Sequence, residues 1–256
     1  MDLTVDLPDY RDDAEAYEIE ERSRPDEMLM LDGAGEHAAA FLSTRTNARV
    51  LDLCCGTGLS LRYILNHADV AQIVGVDISD EYLSFAKEKC AESSPTPEFV
   101  QFDAVDVQLP EEHWDVIMLC SAYHHIEDSR KLQFLKKVRR LLKPDGIAVF
   151  AENILPNYEE GSEESYANAV KEFYTEVLDD AVASNPDLPD SVRGLISRVA
   201  KYGVDGDYEY KVHYKIFQNH LAEAGLVVAK ETCVWPTARR ALRAPGGNYV
   251  LVATRS

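Results

Sequence analysis

The sequence predicts an α/β fold in which a mostly parallel sheet carries helices on both faces. Three observations lead there. Five β-type runs fall between residues 49 and 155: RVLDLCC, QIVGVDI, EFVQFDA, WDVIMLCSA and GIAVFAEN. Several of them are almost continuously apolar, as strands covered on both faces are. Helical patterns occupy the intervals between them, and repeated strand–helix–strand units imply parallel strands joined by right-handed crossovers.

The elements follow in order. Residues 9–44 read as a helical cap, broken near Pro25 and Gly33. Residues 45–155 form the sheet core. In it, LSLRYILNHA (59–68) is expected to be helical after the first strand, and DEYLSFAKEKCAES after the second, with Ser79 or Asp80 as N-cap. SRKLQFLKKVRRLLK after the fourth strand puts Leu132, Leu135, Val138, Leu141 and Leu142 on one face. Ser129 caps it and Pro144-Asp145-Gly146 closes it. Residues 156–212 differ in character. They open on Pro156-Asn157 and the acidic loop EEGSEE, after which Tyr166, Val170, Phe173, Val177 and Ala181 recur at helical spacing. A second short helix, SVRGLISRVAKY, follows. Inserted just past the fifth strand, this segment is expected to be a lid over the site. Residues 213–256 add a helix, YKIFQNHLAEAG, and two strands, LVVAKETCVWP and NYVLVATRS. The whole chain, 1–256, is expected to be one domain, a length that supports a sizeable core.

Composition restricts the function. Lys and Arg total 26 against 45 Asp and Glu, a formal net charge of −19. Nucleic-acid binding needs cations to displace counterions from phosphates, so DNA, RNA and anionic membranes are not expected partners. Arg239, Arg240 and Arg243 form the one visible basic cluster, read as a solvated loop or as a contact for a small anion. No apolar run reaches transmembrane length, and the acidic N-terminus is no secretory signal. Five cysteines with no CxxC or zinc spacing suggest free thiols and a cytoplasmic location. No metal is expected.

The chemistry concentrates at strand ends, where ligands bind in open α/β sheets. The first strand ends at Asp52, and the turn Cys55-Gly56-Thr57-Gly58 lets the backbone approach a ligand closely. Asp77 ends the second strand, 19 residues past Gly58, where a carboxylate can accept both hydroxyls of a ribose. A dinucleotide fingerprint would need a third glycine, and Leu61 stands there. An acid at Asp52 also suits a cationic ligand better than a pyrophosphate.

VLDLCCGTG, VGVDIS, FVQFDA, WDVIMLCSAYHHIED and LLKPDGIAVF together resemble the motifs of class I S-adenosylmethionine-dependent methyltransferases. The resemblance covers residues 10–155 well and the last helix and strands in outline. It implies a Rossmann-like seven-stranded sheet and S-adenosyl-L-methionine as cofactor. It further implies a cofactor set of Asp52, Cys54, Gly56, Gly58, Asp77, Ile78, Asp103, Ala104 and Cys120, with Asp103 at the adenine amino group and Ala104 at its ring. Cys54 replaces the family's first glycine, which demands an ordinary negative-φ backbone there. The segment Tyr10–Glu18 is similar to the opening of small-molecule, ubiquinone-pathway-like members, which implies that Tyr17, and less directly Tyr10, closes over the cofactor.

The acceptor pocket of such a fold follows the fourth strand, where His124 and His125 stand. Either suits the role of general base or substrate anchor, since imidazole titrates near neutrality. Capping of local backbone, or a metal site with Glu152 or His213, are the other readings. The D/N-PP-Y/F turn associated with nucleobase and glutamine methylation is replaced by Ser121-Ala122-Tyr123-His124. The expected activity is therefore methyl transfer to O, N or C of a small molecule. A peptide or protein methyltransferase, and a relative that binds the cofactor without transferring its methyl group, are the alternatives. The acceptor and the oligomeric state are not legible.

Overall fold

The computed structural model describes residues 9–65, 70–236 and 246–256. Seven strands form one sheet: β1 (Ala48–Leu53), β2 (Val70–Asp77), β3 (Glu98–Gln101), β4 (Trp114–Cys120), β5 (Leu142–Ile154), β6 (Leu226–Trp235) and β7 (Gly247–Arg255). Their spatial order is β3-β2-β1-β4-β5-β7-β6. Pairings from β3 through β5 are parallel, and β7 runs antiparallel between β5 and β6. The order reverses beside β1, so the carboxyl ends of β1, β2 and β4 open onto one crevice. All seven residues of β4 are buried, which explains its unbroken apolar run WDVIMLC.

One face of the sheet is covered by α4 (Asp128–Leu141) and α7 (Tyr214–Glu223), with Phe134, Leu135, Val138, Phe217 and Leu221 in that core. The other face packs against α2 (Pro25–Leu42) through Met30, Leu31, Ala34 and Ala38. The helix α3 (Asp80–Lys89) begins at Ser79, whose side chain accepts from the Tyr82 amide, so Ser79 is the N-cap of the two candidates.

Several expected boundaries move, each for a local reason. The cap breaks at Ser23 between α1 (Ala14–Arg22) and α2, just before Pro25 at the start of the helix. Gly33 does not break α2. A Cβ there would lie 3.2 Å from Val250 Cγ2, so the glycine lets the helix lie close against the sheet. After β1 the described chain forms a single 3-10 turn, Leu61–Tyr63, in place of a helix. Ser60 and Arg62 reach away to Asp52 and Glu18, and backbone bonds of i−3 and i−4 type alternate there. The helix α4 starts after Glu127 with no side-chain cap, and β5 begins at Leu142, ahead of Pro144-Asp145-Gly146. Arg239, Arg240 and Arg243 lie outside the described residues.

The segment between β5 and α7 holds α5 (Glu163–Ser184) and α6 (Asp190–Asp205). Val170, Phe173, Val177 and Ala181 meet Val192, Leu195, Ile196 and Val199 in a third apolar cluster, onto which Tyr17 and Ile19 of α1 also pack. The chain leaves at Leu155 and returns at His213, and these two residues bridge. The pair is therefore a clasped excursion, and its exit strap, residues 206–211, runs past the end of β4 and lines the crevice with Tyr208 and Tyr210.

Candidate active site

A cleft of about 240 Å³ opens at the carboxyl ends of β1, β2 and β4. Its floor is the turn after β1. Cys54 adopts φ +61°, so the expected negative-φ backbone is corrected: the turn keeps its left-handed first residue although a cysteine occupies it. A non-glycine residue there carries strain of order 1–3 kcal/mol, held by the surrounding structure. Gly56 (φ +53°) lines the cleft, and its amide donates to Asp77 Oδ2 at 2.8 Å. Ser79 donates to Asp77 Oδ1 at 2.9 Å. Two backbone amides thus aim the Asp77 carboxylate, while burial holds its pKa above the ordinary range. Each oxygen keeps a lone pair for hydroxyl donors.

Of the residues expected to hold the cofactor, Tyr17, Cys54, Gly56, Asp77, Ile78, Asp103, Ala104 and Cys120 line this cleft. Gly58 does not. It sits behind the turn at φ +72°, where a Cβ would press on Ala86 of α3 at 3.3 Å. Asp52 is fully buried behind the wall, bonded to Ser60 Oγ at 2.6 Å, and its Oδ1 has no partner. Burial pushes its pKa up to about 7. Asp103 lines the cleft with its carboxylate engaged, accepting from Arg130 at 2.8 Å and from the Val105 amide at 2.7 Å. Of Tyr10 the backbone alone is described, as the start of a 3-10 turn.

The two histidines part company. His125 lines the cleft; His124 lies behind it, 3% exposed. Glu152, buried near the carboxyl end of β5, ties down the turn that carries both. Its Oε1 accepts the amides of Ala122 (2.9 Å) and Tyr123 (2.6 Å), and its Oε2 meets His124 Nδ1 at 2.7 Å. Burial pushes Glu152 up to about 7; burial and the nearby Lys211 cation push His124 well below its ordinary value. His124 is therefore neutral, with Nδ1 donating to Glu152. On His125, Nδ1 lies 2.9 Å from the Tyr208 carbonyl of the exit strap. A carbonyl oxygen can only accept, so Nδ1 carries a proton, and in the neutral ring Nε2 is the nitrogen with the lone pair. The Tyr210 amide donates to the His124 carbonyl at 2.7 Å. The strap and the histidine turn are thus one hydrogen-bonded unit.

Tyr82, Tyr208 and Tyr210 complete the aromatic wall, with Arg130 beside Asp103. None of these four is marked by a motif; the aromatic text YEYK at 208–211 is the one visible trace of Tyr208 and Tyr210. A chamber of about 20 Å³ adjoins the cleft, with Tyr17, Ser121 and His125 lining both. Around it Arg24 is ringed by Asp26 (2.9 Å), Glu20 (3.2 Å), Glu27 (3.4 Å) and Glu21 (3.8 Å), all buried. Glu209, paired with Lys211 at 2.6 Å, also lines it, its pKa held near 2 chiefly by that lysine against the cost of burial. His124, His125 and Glu209 bring ligand-type atoms within 4.8 Å of one another. Glu152 stabilizes the turn, and His213 faces Glu160 at 3.7 Å.

Residues 50–146 match the family model described as "Methyltransferase domain". These residues form a methyltransferase domain. It is 30% identical over 117 residues to the demethylmenaquinone methyltransferase of Staphylococcus aureus (strain JH9), covering 45% of this chain and 47% of that one. It is 28% identical over 125 residues to the 2-phytyl-1,4-naphtoquinone methyltransferase of Trichormus variabilis, 48% and 54%. The chain spans about half the length of the curated relatives it matches. In fold, this methyltransferase domain is similar to the [4+2]-cyclase SpnF, with TM-score 0.58 and 17% identity, over 88% of this chain and 80% of that one. Its cleft fits S-adenosylmethionine on its own evidence. A carboxylate aimed by two backbone amides ends β2 with lone pairs free for hydroxyl donors, and the orphaned Oδ1 of the buried Asp52 lies behind the turn as an unfilled acceptor.

Proposed function

We propose that this protein transfers the methyl group of S-adenosylmethionine to an O, N or C nucleophile of a small molecule. The observation that carries the reading is one cleft with Asp77 and the Cys54–Gly56 turn at one end and the Nδ1-anchored His125 at the other. Asp77 would hold the ribose, Asp103 and Ala104 the adenine end, and Tyr17 with Ile78 and Cys120 the walls. The bound cofactor supplies an already activated methyl electrophile, so the protein chiefly positions the nucleophile. His125 Nε2 removes a proton from the acceptor where one must leave. His124 acts through position: held by Glu152, it fixes the turn that presents His125. Residues 156–212 shield the reacting groups from water.

The same reading takes the chain as one unit: a cap at 9–44, a cofactor core at 45–155, the lid, and residues 213–256. It places the protein in the cytoplasm, with neither nucleic acid nor membrane as partner. The net charge of −19 supports this, and no helix among the described residues is long and apolar enough to cross a membrane. The relatives' names make quinols the first acceptors to try. The cyclase of shared fold keeps a non-methyltransferring reading in play. Incubation with methyl-labelled S-adenosylmethionine and fractionated cell extract, followed by mass analysis, tests the proposal. Stoichiometric S-adenosylhomocysteine and a labelled small molecule are expected. Cofactor binding with no transfer to any fraction would favor the non-transferring reading.

A further inference from the structure

On the far side of the exit strap lies a wide groove of about 720 Å³. Its walls carry Asp128, Glu160, Glu163 and Asp205, with Tyr158 and Tyr166 between them. Among the described residues no lysine or arginine lines it. Lys131 and Lys201 pair with Asp128 and Asp205 from behind, which leaves Glu160 and Glu163 as the uncompensated charges of the rim. Its wall includes Glu209, which also lines the chamber behind His125, and Tyr210, which also lines the cofactor cleft. The strap, residues 206–211, therefore forms a wall of all three spaces.

The chamber repeats the chemistry of the groove with the charges buried. Four carboxylates share the single guanidinium of Arg24, and crowding with burial raises the pKa of both Glu20 and Glu21. Glu21 is 6% exposed; its side chain hydrogen-bonds that of Glu20, and beyond that its Oε2 has no partner. Arg24 Nε also lacks a partner, but its charge is already opposed fourfold. His124, donating through Nδ1, can only accept at Nε2. The chamber has room for one non-hydrogen atom; Glu20, Glu21, Glu209 and His124 line it as acceptors, with Arg24 and Lys211 in the same wall, each already paired to carboxylates. An unmatched buried acceptor costs stability unless a donor fills the space. A positively charged N–H donor does so, and the tyrosine walls favor the same charge through their ring faces.

We propose that the acceptor is a cationic amine that seats its nitrogen in the chamber beside His125, making the reaction an N-methylation. This rests on the methyltransferase reading above. The ammonium gives one proton to His125 Nε2. The nitrogen lone pair then bonds to the methyl carbon as the carbon–sulfur bond breaks, its electron pair returning to sulfur. The products are a methylated ammonium, S-adenosylhomocysteine and protonated His125, which releases its proton to solvent. A base beside an acid-lined chamber has this purpose: an amine is protonated at neutral pH and cannot attack until a proton leaves.

Calorimetry on protein loaded with S-adenosylhomocysteine tests the proposal, titrating spermidine and tyramine, with 1,8-octanediol and 4-ethylphenol as uncharged counterparts. Each amine is expected to bind at least about tenfold tighter than its counterpart, the scale of one charge-assisted hydrogen bond. Glu21→Gln is expected to weaken amine binding about tenfold, and the pair Glu160→Gln/Glu163→Gln to weaken it further at low salt. Binding of S-adenosylhomocysteine should be unchanged in all three proteins, which also shows that they fold. Intact S-adenosylhomocysteine binding with no amine binding, with no preference for amine over counterpart, or with unaltered affinity in the variants overturns the proposal. Loss of S-adenosylhomocysteine binding by the unaltered protein refutes the methyltransferase reading itself and the amine proposal with it.

Discussion

Replacing Asp77 separates its two jobs. Its carboxylate accepts the Gly56 amide at 2.8 Å and the Ser79 amide at 2.9 Å while presenting its remaining lone pairs to the cleft. Alanine removes everything at once. Two buried amides lose their acceptor, at about 1–3 kcal/mol each, so Asp77→Ala should cost on the order of several kcal/mol of stability besides the ligand contact. Asparagine is the sharper tool. It keeps one oxygen for a backbone amide and loses the negative charge that a pair of ribose hydroxyls would meet. A charge-assisted bond is worth about 1.5–3 kcal/mol, so Asp77→Asn should weaken S-adenosylhomocysteine binding by about tenfold to a hundredfold. Titration calorimetry reads this directly, with the melting transition as a check on folding. An unchanged dissociation constant in a folded Asp77→Asn protein refutes the ribose assignment.

The remaining predictions concern the histidine turn, the buried acids and the strap. His125→Gln should lower turnover by about 10²–10⁴-fold at near-normal cofactor affinity, whereas His124→Gln should chiefly lower the melting temperature; full turnover by both would remove the pair from the chemistry. Asp52 and Glu152 each hold a raised pKa of about 7 in the folded protein, so the folded state binds more protons than the unfolded one above their ordinary values of 3.8 and 4.5. These two acids make stability fall as pH rises from about 5 to about 7, while the lowered pKa of His124 acts in the opposite sense below its ordinary value of 6.5. Asp52→Asn should therefore remove a falling contribution and make the slope of stability against pH more positive over this window. The lowered pKa of Glu209 acts below this window, where stability is lost as pH falls toward 2. An unchanged slope in the Asp52→Asn protein contradicts the assignment. Amides of residues 206–211 should exchange more slowly with cofactor and acceptor bound than in the free protein; equal rates would make the strap scaffold. Gel-shift assays with duplex DNA and structured RNA at physiological salt should show no complex.

What was legible in the sequence tracks how local each cause is. The strand runs and Ser79 announce themselves because a buried strand needs apolar residues and a cap needs a nearby oxygen acceptor. Asp77, Gly56 and Asp103 are legible because strand ends deliver them to the crevice in any sheet of this order. The turn after β1 misled at two points. Its left-handed first residue persists at Cys54 because the surrounding turn fixes it, and the following segment loses its helix to the distant partners of Ser60 and Arg62. Gly33 looks like a break and is a contact, which only the neighboring Val250 reveals. The ring of acids around Arg24 is local, set by spacings of two to four residues across the break between α1 and α2. The walls that groove, chamber and cleft share along residues 206–211 depend on how residues 156–212 fold back, and no spacing in the chain encodes that.

The account stands or falls on where the cofactor sits. A crystal structure with S-adenosylhomocysteine should place both ribose hydroxyls within hydrogen-bond reach of Asp77, the adenine against Ala104 and Asp103, and the sulfur on the side of the cleft lined by Tyr17 and His125. A nucleoside bound elsewhere, or bound in this cleft with its ribose away from Asp77, would contradict it.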